Sequence, residues 1–430
     1  MMRAVRLVGD RVLGKIRDKN IWTVYGAILL LGIAYGISIA LIAHHLDVRG
    51  FSKPEMGSLA AWFALGIVTL SLPMGAMIRR LSAKVTLVSS LAGYAITVSL
   101  FPSLDSFPMI ALDRFLDGAC SVGIWVSCET ILLARAEAGT KASVTTLYAV
   151  SLAVGYVVGP LAAHQIVKIA SIHQAYHVSG AYASLATQVV LGFLDPDGPE
   201  MMREASVAAT EAHRSKLVGV LLRIKTSCFA TFAYGYFQAS VVLFLPLYLM
   251  EEKRIAREDT IIIPFFFALG MLLFSNLAGR FGDRFGHLLV MRVLGVVGTL
   301  MVLGFILLSS YVLMATAVFI AGASLAAISP VSLALQGVVT APADYSRSNS
   351  VYNAFYATGM LLGPKVSSIL FARFGGAAML MHLAALWSAF VAFTIVFAKD
   401  DPAAAGPALA REEGAELVVA GAGVAPPKVD

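Results

Sequence analysis

The sequence predicts an all-α integral membrane protein: twelve transmembrane helices built as two six-helix pseudo-repeats. Three observations carry that expectation. First, 58% of the 430 residues are hydrophobic and 13% are charged, with a mean hydropathy of +0.81; soluble domains carry about 25% charged residues. Second, apolar runs of about 20 residues, the length a helix needs to cross the hydrocarbon core, occur near 21–45, 55–78, 84–103, 108–134, 142–165, 174–194, 226–250, 260–278, 288–309, 311–337, 349–371 and 376–398. They lack the strict alternation over about ten residues that marks a transmembrane strand. Third, the second half of the chain repeats the first.

The repeat runs at a constant offset of 204 positions, the spacing between residues 75 and 279. Gly75, Arg80, Gly118, Ala119, Tyr148, Gly155, Gly159 and Pro160 recur as Gly279, Arg284, Gly322, Ala323, Tyr352, Gly359, Gly363 and Pro364. Two like-built hydrophobic halves imply a transporter with a solute site between them.

The net charge of +6 could suggest nucleic acid, but most of the 32 Lys and Arg fall in alternate connections, on the side of the N-terminus. That asymmetry is the positive-inside pattern of a multi-pass cell (inner) membrane protein with both termini cytoplasmic. No small-residue cleavage site follows the first apolar run, so it reads as a retained helix rather than a signal peptide. Cys120 and Cys128 sit about 12 Å apart along one helix, too far to bridge. With Cys228 they read as small packing residues; no metal-ligand spacing is present and no cofactor is expected.

The expected organisation is a basic cytoplasmic segment 1–20, a six-helix bundle 21–194, a cytoplasmic central loop 195–225, a second six-helix bundle 226–398 and an unstructured cytoplasmic tail 399–430. Within the central loop, residues 217–223 form an amphipathic stretch suited to the membrane surface. Other connections are short and leave no room for a soluble catalytic domain.

The segment Gly279-Arg280-Phe281-Gly282-Asp283-Arg284-Phe285-Gly286-His287 resembles the signature of the major facilitator superfamily in the turn after the eighth helix. The turn after the second helix keeps Gly75, Arg80 and Lys84 but has Arg79 in place of Asp and Ser82 in place of Gly. Arg114-Phe115-Leu116-Asp117-Gly118 resembles an element of the fourth helix in proton-coupled antiporters, and Gly155-x-x-x-Gly159-Pro160 an element of the fifth helix in exporters. The resemblance spans 21–398. It implies twelve helices around a central cavity, rocking between two open states, and export of small amphipathic or drug-like molecules in exchange for protons. Gly75, Arg80, Gly279, Asp283, Arg284 and Gly286 would then gate the motion by close backbone approach and by a latch between helix ends. Gly155, Gly159, Pro160, Gly359, Gly363 and Pro364 would permit tight packing and local bends.

Ionisable residues in lipid are functional candidates by default. The fourth helix carries Asp113, Arg114, Asp117 and Glu129; Asp113 and Asp117 share a face, and Arg114 reaches Asp117 three positions on. Glu129 lies about 18 Å further along the axis. A carboxylate that exchanges a proton as its half opens is the minimal part of a proton-coupled cycle; a structural Arg114–Asp117 pair is the bland alternative. Lys365 breaks the repeat, since the first half has Leu161 there. It could attract an anionic solute, pair with an acid of the other half, or snorkel to the interface. Trp125, Tyr236, Gln238, Asn353 and Tyr356 are candidate cavity residues, or helix packing; Gln238 and Asn353 stand out because an amide in lipid needs a partner. His44 and His45 are expected at the outer interface, and His164, His177 and His382 near helix ends as packed residues.

No Gly-x-Ser-x-Gly, His-Glu-x-x-His, P-loop or Cys-x-x-Cys occurs, which counts against soluble-type catalysis. The expected partners are membrane lipid, a small-molecule solute and protons, with no nucleic acid, on a monomer. The competing readings are proton-coupled uptake, facilitated transport of a metabolite or organic anion, and a non-transporting scaffold or sensor on the same architecture.

Overall fold

The protein, seen in a computed structural model, is described over residues 18–136, 141–196, 217–340 and 345–398. Nearly all of the basic N-terminal segment, most of the central loop and the C-terminal tail lie outside the described residues, as does the side chain of Arg79. Twelve long helices follow one another: α1 Lys19–Val48, α2 Lys53–Leu81, α3 Ala83–Leu100, α4 Phe107–Arg135, α5 Lys141–Ile169, α6 Ile172–Phe193, α7 Lys225–Glu251, α8 Ile263–Phe285, α9 His287–Leu307, α10 Tyr311–Val339, α11 Tyr345–Phe374 and α12 Gly376–Val396. Among the described residues, nine of them are long and apolar enough to cross a membrane. The others, α2, α6 and α11, are diluted by Ser, His, Lys and Arg yet stand in register with the rest. Because successive helices alternate in direction, α1 begins and α12 ends on one side, here the terminal face; the opposite side is the far face.

Local chemistry starts these helices where they start. Asp18 caps α1 by accepting from Asn20 N at 2.8 Å. Ser171 and Gln174 form a reciprocal box at α6: Gln174 N donates to Ser171 Oγ at 3.2 Å and Ser171 N to Gln174 Oε1 at 3.0 Å. Each such cap satisfies helix-start N–H groups that otherwise lack a partner. At the terminal face Lys19 pairs with Asp195 at 2.9 Å. The hydrogen bonds of Lys19 and Asn20 hold that exposed carboxyl below the usual carboxylate range.

In lipid there is no hydrophobic drive between helices, so small residues that let backbones touch must hold the bundle. The repeat seen in sequence is repeated in these contacts. A Cβ added to Gly66 of α2 would lie 2.1 Å from the Phe115 carbonyl oxygen of α4, and one added to Gly118 would lie 2.0 Å from that of Phe63. Their counterparts behave alike: Gly270 of α8 abuts Phe319 and Gly322 of α10 abuts Phe267, each at 2.1 Å. Likewise Gly155 and Gly159 of α5 press on Gly32 and Gly36 of α1, while Gly359 and Gly363 of α11 press on Phe232, Tyr236 and Ser240 of α7. Two bundles of the same design result, and they meet where α2 packs on α11, α5 on α8 and α1 on α7.

Three local features depart from expectation. A π-helical turn at Gly322–Ala326 interrupts α10, a distortion that a sequence period does not reveal. Residues 217–223 do form a helix, and beyond the expected amphipathic stretch Val220, with Ile224 and Cys228, packs on Val339, Val351 and Phe355 while Val218 and Leu222 stay exposed. Gly279 makes no close approach, since nothing lies within 4 Å of an added Cβ. Gly286, by contrast, takes φ +94°, and Ser82, its counterpart after α2, takes φ +83° without being glycine. The first-half turn therefore keeps the left-handed geometry at a strain of about 1 kcal/mol or more.

Candidate solute chamber and far-face gate

The charged cluster of α4 points into the bundle. Asp113 and Asp117 are both 7% exposed. Arg114 Nη1 donates to Asp117 Oδ2, and its guanidinium lies 4.5 Å from the centroid of the Phe63 ring on α2. From Asp117 a polar chain leads away from α4: Ser121 Oγ donates to Asp117 Oδ1 at 3.4 Å, and Tyr35 Oη of α1 donates to Ser121 Oγ at 2.7 Å. Tyr35 in turn stacks on Tyr156 of α5, with ring centroids 6.2 Å apart and an interplanar angle of 16°.

The second half answers with its own tyrosines. Tyr234 of α7 stacks on Tyr356 of α11 at 6.1 Å, and Tyr356 Oη donates to Gln238 Oε1 at 2.9 Å. One tyrosine stack thus belongs to each half, and the helices that carry them, α1 and α7, pack on each other at the junction. Trp125 of α4 adds an indole N–H that is buried without a hydrogen-bond partner. The arrangement offers aromatic faces, hydroxyls, one amide and one carboxylate chain, the equipment for an amphipathic solute.

Polar contacts across the halves gather at the far face. Arg257, in the short helix Arg257–Ile261, pairs with Asp47 of α1 at 2.9 Å, and Lys53 of α2 pairs with Glu251 of α7 at 2.9 Å. His44 Nε2 and Thr260 Oγ1 share a hydrogen bond of 2.6 Å, and His164 Nδ1 meets the Glu258 carbonyl at 2.9 Å. His44 is thus a cross-half contact, more than an interface residue. Towards the terminal face Glu129 of α4 and Asn353 of α11 are exposed, and Glu129 lies within electrostatic reach of Tyr148 on α5.

The residues singled out from sequence divide accordingly. Asp113, Arg114 and Asp117 converge, with Trp125 on the same helix; Gln238 and Tyr356 bond to each other. Tyr236 belongs to a separate second-half cluster, where its Oη lies 3.3 Å from His382 Nε2 and Ser367 bonds Ser240 at 2.9 Å. Lys365 is exposed on α11 and donates to Ser58 Oγ of α2 at 2.7 Å, a contact across the halves separate from the tyrosine stacks. Asp283 faces His287 of its own turn at 3.4 Å with a largely exposed side chain, and Arg284 lies over Phe285. The Asp283–His287 contact joins the end of α8 to the start of α9, and Arg284 takes no part in it. Arg80 is exposed. Tyr35, Tyr156, Tyr234 and Ser121 escaped sequence reasoning, although a tyrosine in the middle of an apolar helix, whose hydroxyl needs a partner, was a usable signal. Among the described residues no group of His, Cys, Asp and Glu could hold a metal ion.

Two equivalent six-helix bundles that meet along α2–α11, α5–α8 and α1–α7, with polar contacts between them gathered at one face, define a membrane protein with a two-domain transporter fold. A family model for the Major Facilitator Superfamily matches twice, over residues 24–253 and 227–427, and the chain belongs to that superfamily. Solved structures agree on the fold. The nucleoside transporter NupG is 12% identical, with a TM-score of 0.72, covering 87% of this chain and 99% of its own. A D-xylose–proton symporter gives 12%, 0.72, 87% and 97%, and the human organic anion transporter MFSD10 gives 14%, 0.66, 87% and 99%. No curated protein matches the chain by sequence.

Proposed function

We propose that the protein is a secondary transporter working by alternating access, which exports small amphipathic molecules through the tyrosine-lined chamber in exchange for protons carried on α4. The observation that carries this reading is the chain Arg114–Asp117–Ser121–Tyr35. It links an intramembrane carboxylate directly to the chamber wall, so protonation of Asp117 would alter the hydrogen bonding that a solute meets. Two carboxylates beside one guanidinium leave a net negative charge in a medium that penalises it, and one proton cancels it. Asp113 and Glu129 are the further carriers in this scheme, and Trp125, Gln238 and Tyr356 contact the solute. The clustering of Lys and Arg supports a cell-membrane location with the terminal face cytoplasmic, and the protein acts as a monomer. The far-face gate then closes the external side, leaving the chamber to load from the cytoplasm.

Uptake of an organic anion would draw its support from Lys365 as an anchor, and Lys365 bonds to Ser58 of α2 rather than to the tyrosines or the α4 cluster. Purified protein in liposomes under an imposed pH gradient tests the proposal. Substrate-linked proton flux should vanish in Asp117→Asn while solute binding, read by ligand-induced thermal stabilisation, persists. Intact coupling in Asp117→Asn and in Glu129→Gln would remove the proton assignment; no substrate-linked flux across a compound panel would favour the scaffold reading.

A further inference from the structure

Lys365 remains unexplained by a solute chamber. It lies about 13 Å along α11 from the helix end at Phe374, within the membrane span, and among the described residues no carboxylate pairs with it. Its ammonium has three donors. One goes to Ser58 Oγ, whose own proton goes to the Pro54 carbonyl at 2.8 Å. Beside it a crevice of about 290 Å3 opens between the halves, lined by Ser58, Ala61, Trp62 and Leu65 of α2 and by Leu361, Leu362 and Lys365 of α11.

The crevice faces lipid. On α2, Phe63 and Gly66 pack against α4, Gly57 packs against Pro364 and Ser368 of α11, and Lys53 reaches α7. The stripe Ser58–Trp62–Leu65 follows the helical repeat on the remaining side, and Trp62, Leu65 and Leu362 are 40%, 36% and 44% exposed. Polarity is ordered along it. The cation and Ser58 lie at the far-face end, and the apolar walls run about 10 Å from there towards the membrane centre. A charged head at the interface side and an apolar slot beneath it is the shape of one acyl chain with an acidic head.

We propose that the α2–α11 crevice is a binding site for an acidic membrane phospholipid, its phosphate on Lys365 and one acyl chain along Trp62, Leu65, Leu361 and Leu362. Because the walls come from both halves, the bound lipid splints them at the far face and favours the closed gate.

The test uses the full-length protein in phosphatidylcholine nanodiscs titrated with phosphatidylglycerol, read by lipid retention in native mass spectrometry. Phosphatidylglycerol should be retained over phosphatidylcholine by ~10-fold, the size of one charge-assisted contact. The preference should fall to near unity in Lys365→Ala and persist in Lys365→Arg. Lys365→Gln, which still donates to Ser58, separates loss of charge from loss of the cross-half bond: it too should lose the preference. Trp62→Ala should lower retention of phosphatidylglycerol severalfold while leaving Lys365 in place. An unchanged preference in Lys365→Gln, equal retention of the two lipids by the native protein, or displacement of phosphatidylglycerol by inorganic phosphate at matched concentration would each overturn the proposal.

Discussion

Helices α4 and α10 hold equivalent places in the two halves, yet only one of them is charged. Their scaffolds coincide: Gly118 and Gly322 press on the carbonyls of Phe63 and Phe267 at 2.0 and 2.1 Å. At the positions of Asp113, Arg114, Asp117 and Glu129, however, α10 carries Ala317, Val318, Ala321 and Leu333. It also contains the π-turn Gly322–Ala326, where α4 is regular. The two copies thus share what the bundle needs to pack, and the ionisable side chains lie in one of them. In this arrangement the first half would sense protons while the second contributes an uncharged wall, so the two halves need not be driven by the same event.

The largest effect should come from breaking what the helices share. Gly118→Val and Gly322→Val each force a side chain into a backbone carbonyl, and both should cost ~3 kcal/mol or more, read as loss of folded protein by size-exclusion chromatography and thermal unfolding. A large effect in only one would show that the halves pack by different rules. Next comes what they do not share. Asp117→Asn should reduce pH-gradient-driven flux by ~100-fold, roughly the worth of a buried charge-assisted interaction, whereas Ala321→Ser in α10 should leave coupling unchanged. Glu129→Gln should reduce flux less, by ~10-fold, because Glu129 is exposed and stands apart from the Arg114–Asp117–Ser121–Tyr35 chain. Smallest is the gate: Arg257→Ala, which removes a half-exposed ion pair worth ~0.2–1 kcal/mol, should shift distances between far-face spin labels towards the open state by a few-fold in population.

Much of this was legible in the sequence, for identifiable reasons. Helix count and order follow from apolar run length, which lipid enforces because a spanning segment must satisfy its backbone internally. The bundle contacts follow from the repeated glycines, and the Arg114–Asp117 pair from a spacing of three on one helix. Contacts between distant segments were not legible. Arg257 reaches Asp47 and Lys53 reaches Glu251 only once the halves are docked, and no local spacing in the sequence joins either pair. Lys365 illustrates the limit: its depth was clear, but which way it pointed depended on α2. Ser82 shows the converse, a residue unsuited to its φ that keeps its turn because the helices on both sides over-determine it.

The closure described for the far face has an environmental consequence. The side chains of Asp47 and Arg257 are 35% and 42% exposed, and those of Glu251 and Lys53 43% and 23%, so the bathing fluid touches the fasteners themselves. At physiological ionic strength electrostatic influence decays over about 8 Å, and at 1 M over about 3 Å. With the far face outward, as proposed, a briny exterior would loosen the closure and a dilute one would tighten it, so that outside salinity would modulate how often the protein turns outward.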